Sequence, residues 1–228
     1  MSTIAANLQA VRQRIESACS AAGRPSGSVR LVAAAKTVAP AAIREAAAAG
    51  QRDFGENYVQ EGEEKMLALA DLALTWHYIG PIQSNKTRSI AEHFDWVHTI
   101  DRGKVAGRLS AARAAHLPEL QVCIQVNVSG EASKNGIAPE EVAPLAKQVA
   151  ALPRLRLRGL MAIPEPTPDT ALARRRFAQL RKLRDALNHE GFALDTLSMG
   201  MSADLEAAIA EGATLVRVGT AIFGRRSN

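Results

Sequence analysis

The sequence is poor in cysteine and in aromatic residues. Its 228 residues include only two cysteines, Cys19 and Cys123, with no CxxC spacing. Cys19 falls in a helical pattern and Cys123 in a strand, so both are expected to be small core residues in a reducing compartment. Aromatic residues make up only 4% of the chain, which predicts a mainly aliphatic core.

Targeting and membrane signals are also missing. The N-terminus lacks a basic segment followed by an apolar one, and no apolar run approaches the roughly 18 residues that a membrane span requires. These absences favour a cytoplasmic protein with no membrane partner.

The charge balance is only mildly basic. The net charge is +5, from 28 lysines and arginines against 23 acidic residues, and the positive residues are spread along the chain. They are typical either of a nucleic-acid surface or of solvated helix faces. We favour the second, because no aromatic stacking platform accompanies the charges, and expect no nucleic-acid partner.

A short β-rich run, a polar turn and a helical segment repeat along the chain, and no change of composition marks a domain boundary. Strands that alternate with helices predict right-handed βαβ units and a parallel sheet. Eight such units fit a closed barrel better than an open sheet. We therefore predict an α/β fold, a single (β/α)8 TIM barrel over residues 1–228 with an extra N-terminal helix. The strands are predicted at residues 29–36, 52–55, 76–79, 96–100, 121–128, 157–162, 196–199 and 214–218.

Lys36 ends the first predicted strand, directly after an apolar run. An apolar environment disfavours the ammonium form and leaves more free amine, which a Schiff-base nucleophile requires. The C-terminal ends of barrel strands carry active sites. The position alone is equally compatible with a lysine that extends from the barrel mouth into solvent.

Two later segments predict a phosphate site. The run 198–204 leaves the seventh strand for a helix, where Gly200 permits a close backbone approach and Ser202 is placed to cap the helix. Gly219 and Thr220 leave the eighth strand and offer N–H groups and a hydroxyl. Loops after strands seven and eight are the common phosphate site of such barrels. We favour this over a capped helix and an unrelated glycine turn.

Five motifs extend this pattern over the chain from about residue 8 to residue 226. They are Ala35-Lys36-Thr37, Phe54-Gly55-Glu56-Asn57-Tyr58, the run from His77 to Lys86, Ser198-Met199-Gly200-Met201-Ser202 and the run from Val216 to Gly224. In this order they resemble the pyridoxal phosphate homeostasis protein family, which is similar to the N-terminal barrel of alanine racemase. The resemblance implies that barrel fold and pyridoxal 5′-phosphate (PLP) as cofactor.

The resemblance also implies roles for individual residues. Lys36 would hold PLP as a Schiff base, and Arg217 would face the pyridine nitrogen. A permanent guanidinium there keeps that nitrogen unprotonated and weakens the ring as an electron sink. The other implied residues are Ser202, Gly219 and Thr220 at the phosphate, Asn57 beside the ring near its 3-hydroxyl, and Met199 in the pocket lining.

Two histidines and two loops keep alternative interpretations. His77 and His98 are either proton donors near the cofactor or hydrogen-bonded barrel histidines, and we favour the second. Neither has a partner at metal-ligand spacing, so no metal is expected. The segment 83–86 is either a lid or second phosphate contact, or an ordinary helix start. Ser133-Lys134-Asn135-Gly136 is a turn by composition and is expected to border the pocket.

Cofactor binding does not by itself make an enzyme. Racemisation on this fold needs a second acid or base on the opposite face of the cofactor, which in alanine racemase is a tyrosine from the C-terminal domain of the partner subunit. The chain ends four residues after Gly224, so no second domain is expected, and its only tyrosines are Tyr58 and Tyr78. We therefore expect a PLP-binding protein of vitamin B6 homeostasis without a dedicated catalytic activity, which leaves room for weak side reactions.

The alternative function is a PLP-dependent amino-acid racemase or a related enzyme of the same fold type. A cofactor-free Schiff-base barrel acting on sugar phosphates and a nucleic-acid binder are further alternatives. The sequence favours a monomer over a dimer. It leaves open how the cofactor is released and whether PLP-dependent client enzymes receive it.

Overall fold

Eight parallel strands close into a barrel in this computed structural model, which describes residues 3–130 and 135–224. The strands pair in chain order, and the last also pairs with the first. They are β1 (Arg30–Ala34), β2 (Asp53–Glu56), β3 (Thr75–Tyr78), β4 (Trp96–Ile100), β5 (Leu120–Gln125), β6 (Leu155–Met161), β7 (Thr196–Ser198) and β8 (Leu215–Val218). The predicted (β/α)8 fold is thus confirmed, including its short second and seventh strands.

Helices surround the barrel. They are α1 (Ile4–Ala21), α2 (Pro40–Ala48), α3 (Val59–Ala68), α4 (Thr87–His93), α5 (Gly103–Ala112), α6 (Val142–Ala150), α7 (Thr170–His189), α8 (Leu205–Ala210) and α9 (Thr220–Phe223), with short 3₁₀ helices at Ser84–Lys86 and Pro139–Glu141. The predicted extra N-terminal helix is α1, which begins at a Thr3 cap and packs against α2, α8 and α9. No helix of the described residues is both long enough and apolar enough to cross a membrane.

Two apolar regions form the core. The larger one lies between the strands and the helices and includes the buried stripe of α1. The smaller one lies inside the barrel and consists of Val32, Trp96, Cys123, Met161 and Leu215. Side chains of a strand alternate between the two sides, so polar residues of the same strands also enter the barrel. Both cysteines are buried free thiols, as expected.

Some predicted boundaries differ from the structure. β1 ends at Ala34, two residues before Lys36, and β5 ends at Gln125 although an apolar strand was predicted to residue 128. In the predicted 133–136 turn, Ser133 and Lys134 lie outside the described residues, while Gly136 adopts φ +111°. These differences occur where strands become loops, and they leave the strand order unchanged.

Candidate functional site

A cleft of about 380 Å³ opens where six of the strands end. Its size is within the usual range for small-ligand sites. Its polar lining comprises Lys36, Asn57, Ser202, Arg217, Gly219 and Thr220, and its other lining residues are Ala34, Ile79, Ile163, Met201 and Ala203. The structure therefore brings six of the seven implied binding residues to one cavity.

The seventh implied residue, Met199, is placed elsewhere. It directly follows β7, its N–H donates to Leu215 O at 3.1 Å, and its side chain is fully buried in the core. Met201, two residues further along, is the methionine that lines the cleft. The implied lining residue thus needs correcting from Met199 to Met201.

Lys36 lies in a tight turn just beyond β1. The turn is closed by the N–H of Val38, which donates to Ala35 O at 2.9 Å. Within it Thr37 has φ +60°, a conformation that β-branched residues rarely adopt. The backbone that carries the half-buried Lys36 side chain is therefore held in one tight conformation.

A buried lysine of α3, Lys65, holds this turn in place. Its Nζ donates to Ala35 O at 2.7 Å, to Glu56 Oε1 at 2.8 Å and to Glu61 Oε1 at 2.5 Å. Glu61 Oε1 also accepts from the N–H of Thr37 at 2.6 Å. One ammonium thus fixes the backbone on both sides of Lys36, directly on one side and through Glu61 on the other.

The loop after β2 forms the wall of the cleft next to Lys36. A side chain at Gly80 would place its Cβ 2.3 Å from Asn57 O and 2.8 Å from Asn57 Cα, so only glycine allows this approach. The next residue, Tyr58, is 53% exposed, and its ring centroid lies 5.2 Å from Lys36 Nζ. Tyr58 belongs to the same motif as Asn57, although only Asn57 of that motif was expected beside the cofactor.

Three residues of the cleft lining have unpaired backbone N–H groups. Within the described part of the chain, the N–H groups of Ser202, Ala203 and Thr220 have no hydrogen-bond acceptor. Gly200 allows the loop to reach this position, since it has φ +96° and a Cβ there would lie 2.7 Å from that of Ala208. Free N–H groups of this kind suit a phosphate.

The expected cap of the helix after β7 needs correction. α8 begins after Asp204, whose Oδ1 accepts from the N–H of Met201 at 2.6 Å. Ser202 lies within the turn that this bond closes. The sequence analysis placed Ser202 at the cap, whereas the residue before the helix is Asp204 and its carboxylate closes the turn.

Arg217 reaches the cleft from inside the barrel. Its guanidinium donates through Nη1 to Ser198 Oγ and through Nη2 to Ala162 O at 2.9 Å, and the residue is only 4% exposed. Burial lowers the pKa of Arg217 to about 10, and the nearby Asp204 partly offsets this, so the side chain stays charged at neutral pH. Among the described residues no acceptor contacts its Nε.

Ser198 continues into a polar column through the barrel. Its Oγ lies 2.7 Å from Nδ1 of His98, whose Nε2 lies 2.9 Å from Nδ1 of His77. His77 Nε2 lies 3.0 Å from Asp53 Oδ1. Both rings are fully buried, and neither lines the cleft, which favours hydrogen-bonded barrel histidines over proton donors beside the cofactor.

Two other features are separate from this site. The segment 83–86 is absent from the cleft lining and leads directly into α4, with Thr87 Oγ1 donating to Ser84 O at 3.0 Å, which favours an ordinary helix start. A smaller cleft at the opposite end of the barrel contains Arg158, which already binds both oxygens of Asp195. No cluster of metal-ligating residues occurs in the described segments.

The chain matches a family model described as "Alanine racemase, N-terminal domain" over residues 6–227. Among curated proteins, it is 63% identical over 226 residues to the pyridoxal phosphate homeostasis protein of Pseudomonas aeruginosa, covering 99% of this chain and 97% of that protein. It is 52% identical over 233 residues to the Escherichia coli K12 protein of the same name, covering 99% and 98%.

Solved structures agree with this result. PipY of Synechococcus elongatus PCC7942, a structure with PLP bound, is 39% identical with a TM-score of 0.85, over 97% of this chain and all of PipY. The alanine racemase of Corynebacterium glutamicum has a TM-score of 0.69 at 17% identity, over 97% of this chain and 62% of the racemase. At that identity the racemase supports a common fold alone.

Proposed function

Because the chain belongs to the pyridoxal phosphate homeostasis protein family, we propose that it binds PLP in the cleft at the barrel mouth and serves PLP homeostasis. The observation that carries this proposal is the composition of that cleft. A lysine amine, a set of unpaired backbone N–H groups and a buried guanidinium line one cavity of about 380 Å³. These three kinds of group suit, in turn, an aldehyde, a phosphate and an unprotonated pyridine nitrogen.

Each end of the cofactor has a partner in this arrangement. PLP would supply the aldehyde, and Lys36 is the amine that would bind it. The N–H groups at Ser202 and Thr220, with Gly219 beside them, would hold the phosphate. Arg217 would donate to the ring nitrogen and, because a guanidinium has no acceptor for a proton, would keep that nitrogen unprotonated. Asn57 lies at the wall expected beside the 3-hydroxyl.

We propose binding rather than catalysis. Only Lys36 and Arg217 are titratable among the described residues of the cleft lining. Racemisation requires a second acid or base on the other face of the cofactor, and an arginine does not serve as one at neutral pH. A reservoir from which client enzymes draw PLP fits this lining better than a racemase does. The cytoplasmic location, the monomeric state and the single domain over residues 1–228 stay predictions.

Spectroscopy and covalent trapping test the proposal. The purified protein should be yellow with PLP, and borohydride should fix the cofactor to the peptide that contains Lys36. Lys36→Ala should lose both the absorbance and the trapped adduct while its circular dichroism is unchanged. The matched control, Lys86→Ala, should keep both because Lys86 lies outside the cleft.

Two outcomes would overturn parts of this proposal. A trapped adduct that persists in Lys36→Ala would place the anchor on another lysine. Exchange of the α-hydrogen of alanine or serine for deuterium at enzymatic rates would favour the racemase alternative over a binding protein.

A further inference from the structure

The polar column inside the barrel connects the two ends of the molecule. It runs from Arg217 at the cleft through Ser198, His98 and His77 to Asp53, the first residue of β2. Asp53 lies at the opposite end of the barrel, where its side chain is 17% exposed and Arg30 lies 3.5 Å away. Cofactor binding as proposed above uses only the first member of this column.

The two ends of the column fix the direction of every hydrogen bond in it. A carboxylate only accepts, so His77 carries its hydrogen on Nε2 and, when neutral, accepts at Nδ1. His98 must then donate from Nε2, and a neutral His98 accepts at Nδ1 from the Ser198 hydroxyl. Ser198 Oγ in turn accepts from Arg217, which can only donate. Each hydrogen bond of the column therefore joins one donor to one acceptor, and Ser198 Oγ accepts one of these bonds and donates the next.

We propose that Ser198, His98 and His77 are positioning residues for Arg217. Their one-way chain of hydrogen bonds holds the guanidinium by Nη1, so that its Nε faces the cleft. This inference rests on the proposed function, in which Arg217 contacts the bound ring.

The surroundings keep both histidines neutral, as the chain requires. Burial is the main cause that lowers the pKa of His98 well below its ordinary value, and His77 and then Arg217 act in the same direction. Burial also lowers the pKa of His77, although Asp53 acts in the opposite direction. Trp96 stacks on His77 with ring centroids 5.6 Å apart, and the other charged groups that act on His77 are Arg30 and Asp95.

The tautomers provide a test that does not involve the cofactor. In cofactor-free protein labelled with ¹⁵N-histidine, nuclear magnetic resonance should find Nε2 protonated and Nδ1 unprotonated in both His77 and His98 at neutral pH. Assignment uses the single variants His77→Gln and His98→Gln. A proton on Nδ1 of His98 would reverse the chain and overturn the inference, whether or not the protein binds PLP.

A matched pair of truncations tests the effect on the cleft. Ser198→Ala removes one atom that accepts from Arg217, whereas Cys123→Ala removes one atom from the same barrel interior without breaking a hydrogen bond found among the described residues. We expect Ser198→Ala to raise the apparent dissociation constant for PLP about tenfold or more and to shift the absorbance maximum. Cys123→Ala should stay within about twofold of the wild type.

A conservative replacement separates positioning from packing. In His98→Asn the amide oxygen lies near the place of Nδ1 and can still accept from Ser198, whereas His98→Gln places its amide near Nε2. His98→Asn should therefore stay closer to the wild-type affinity and spectrum than His98→Gln. Equal effects of Ser198→Ala and Cys123→Ala on PLP binding would overturn the positioning role. A wild-type protein that binds no PLP would contradict the proposed function instead, and the tautomer test would then decide whether the chain of hydrogen bonds exists.

Discussion

At the scale of single residues, the position of the proposed anchor depends on a second lysine. Lys65 is buried against Glu56 and Glu61, and it also binds the backbone next to Lys36. Removing one partner of a buried ion pair commonly costs about 3–5 kcal/mol, because the remaining charge stays buried. We expect Lys65→Met to lower the free energy of unfolding by about that amount in urea titrations.

The same substitution should weaken cofactor capture in protein that remains folded. The turn at Ala35 and Thr37 loses the ammonium that ties its two sides together, so less PLP should be trapped by borohydride at a fixed concentration. The matched control is Lys147→Met. Lys147 is 66% exposed in its side chain and pairs with Glu190 at the surface, so its removal should change stability by less than about 1 kcal/mol. Equal effects of the two substitutions would contradict the role given to Lys65.

At the scale of elements, the walls of the cleft depend on how closely two loops approach each other. Gly80 follows β3, and a methyl group there would collide with the backbone of Asn57. Backbone cannot yield as a side chain does, so Gly80→Ala should destabilise the protein by about 1–3 kcal/mol, the usual cost of overpacking. It should also weaken PLP binding, because the loop that carries Asn57 moves outward.

Gly107 provides the control for this substitution. It lies inside α5, and a Cβ there would meet no atom within 4 Å. Alanine in a helix interior is favoured over glycine by about 0.5–1 kcal/mol, so Gly107→Ala should be neutral or stabilising. Urea unfolding and PLP titration measure the stability and the PLP affinity of both variants. If Gly80→Ala changed neither, the loop would adapt to the methyl group without moving Asn57.

The elements were more predictable than their contacts. Each strand is a short β-rich segment bounded by turn residues, so all eight were visible in the sequence, with the short β2 and β7 the least clear. The role of Lys65 was not visible in the sequence. Lys65 lies in a run of charged residues typical of an exposed helix face, and its burial depends on how α3 packs. Met201 rather than Met199 lines the cleft because both residues follow the end of β7. Beyond that end, the alternation of side chains along a strand no longer predicts which of them faces the cleft.

At the scale of the whole molecule, the column makes residues far apart in sequence depend on each other. His98 and Ser198 are 100 positions apart, so no local pattern in the sequence relates them. The closed barrel is what brings them together, because its eight strands surround one narrow interior. That interior contains two buried histidines and a buried arginine, and its stability should therefore respond to pH.

Whether stability rises or falls with pH depends on how many protons the folded and the unfolded protein bind. The pKa of His98 in the folded protein is well below its ordinary value, chiefly because of burial, whereas the unfolded chain takes up a proton near pH 6.5. Below about pH 6.5 the unfolded state binds more protons, so stability falls as the pH falls. Each such histidine contributes at most about 1.4 kcal/mol per pH unit. Urea unfolding between about pH 7.5 and 5 should show this loss, and His98→Asn should reduce it. A loss that persists in His98→Asn would mean that another group, and not His98, takes up the proton.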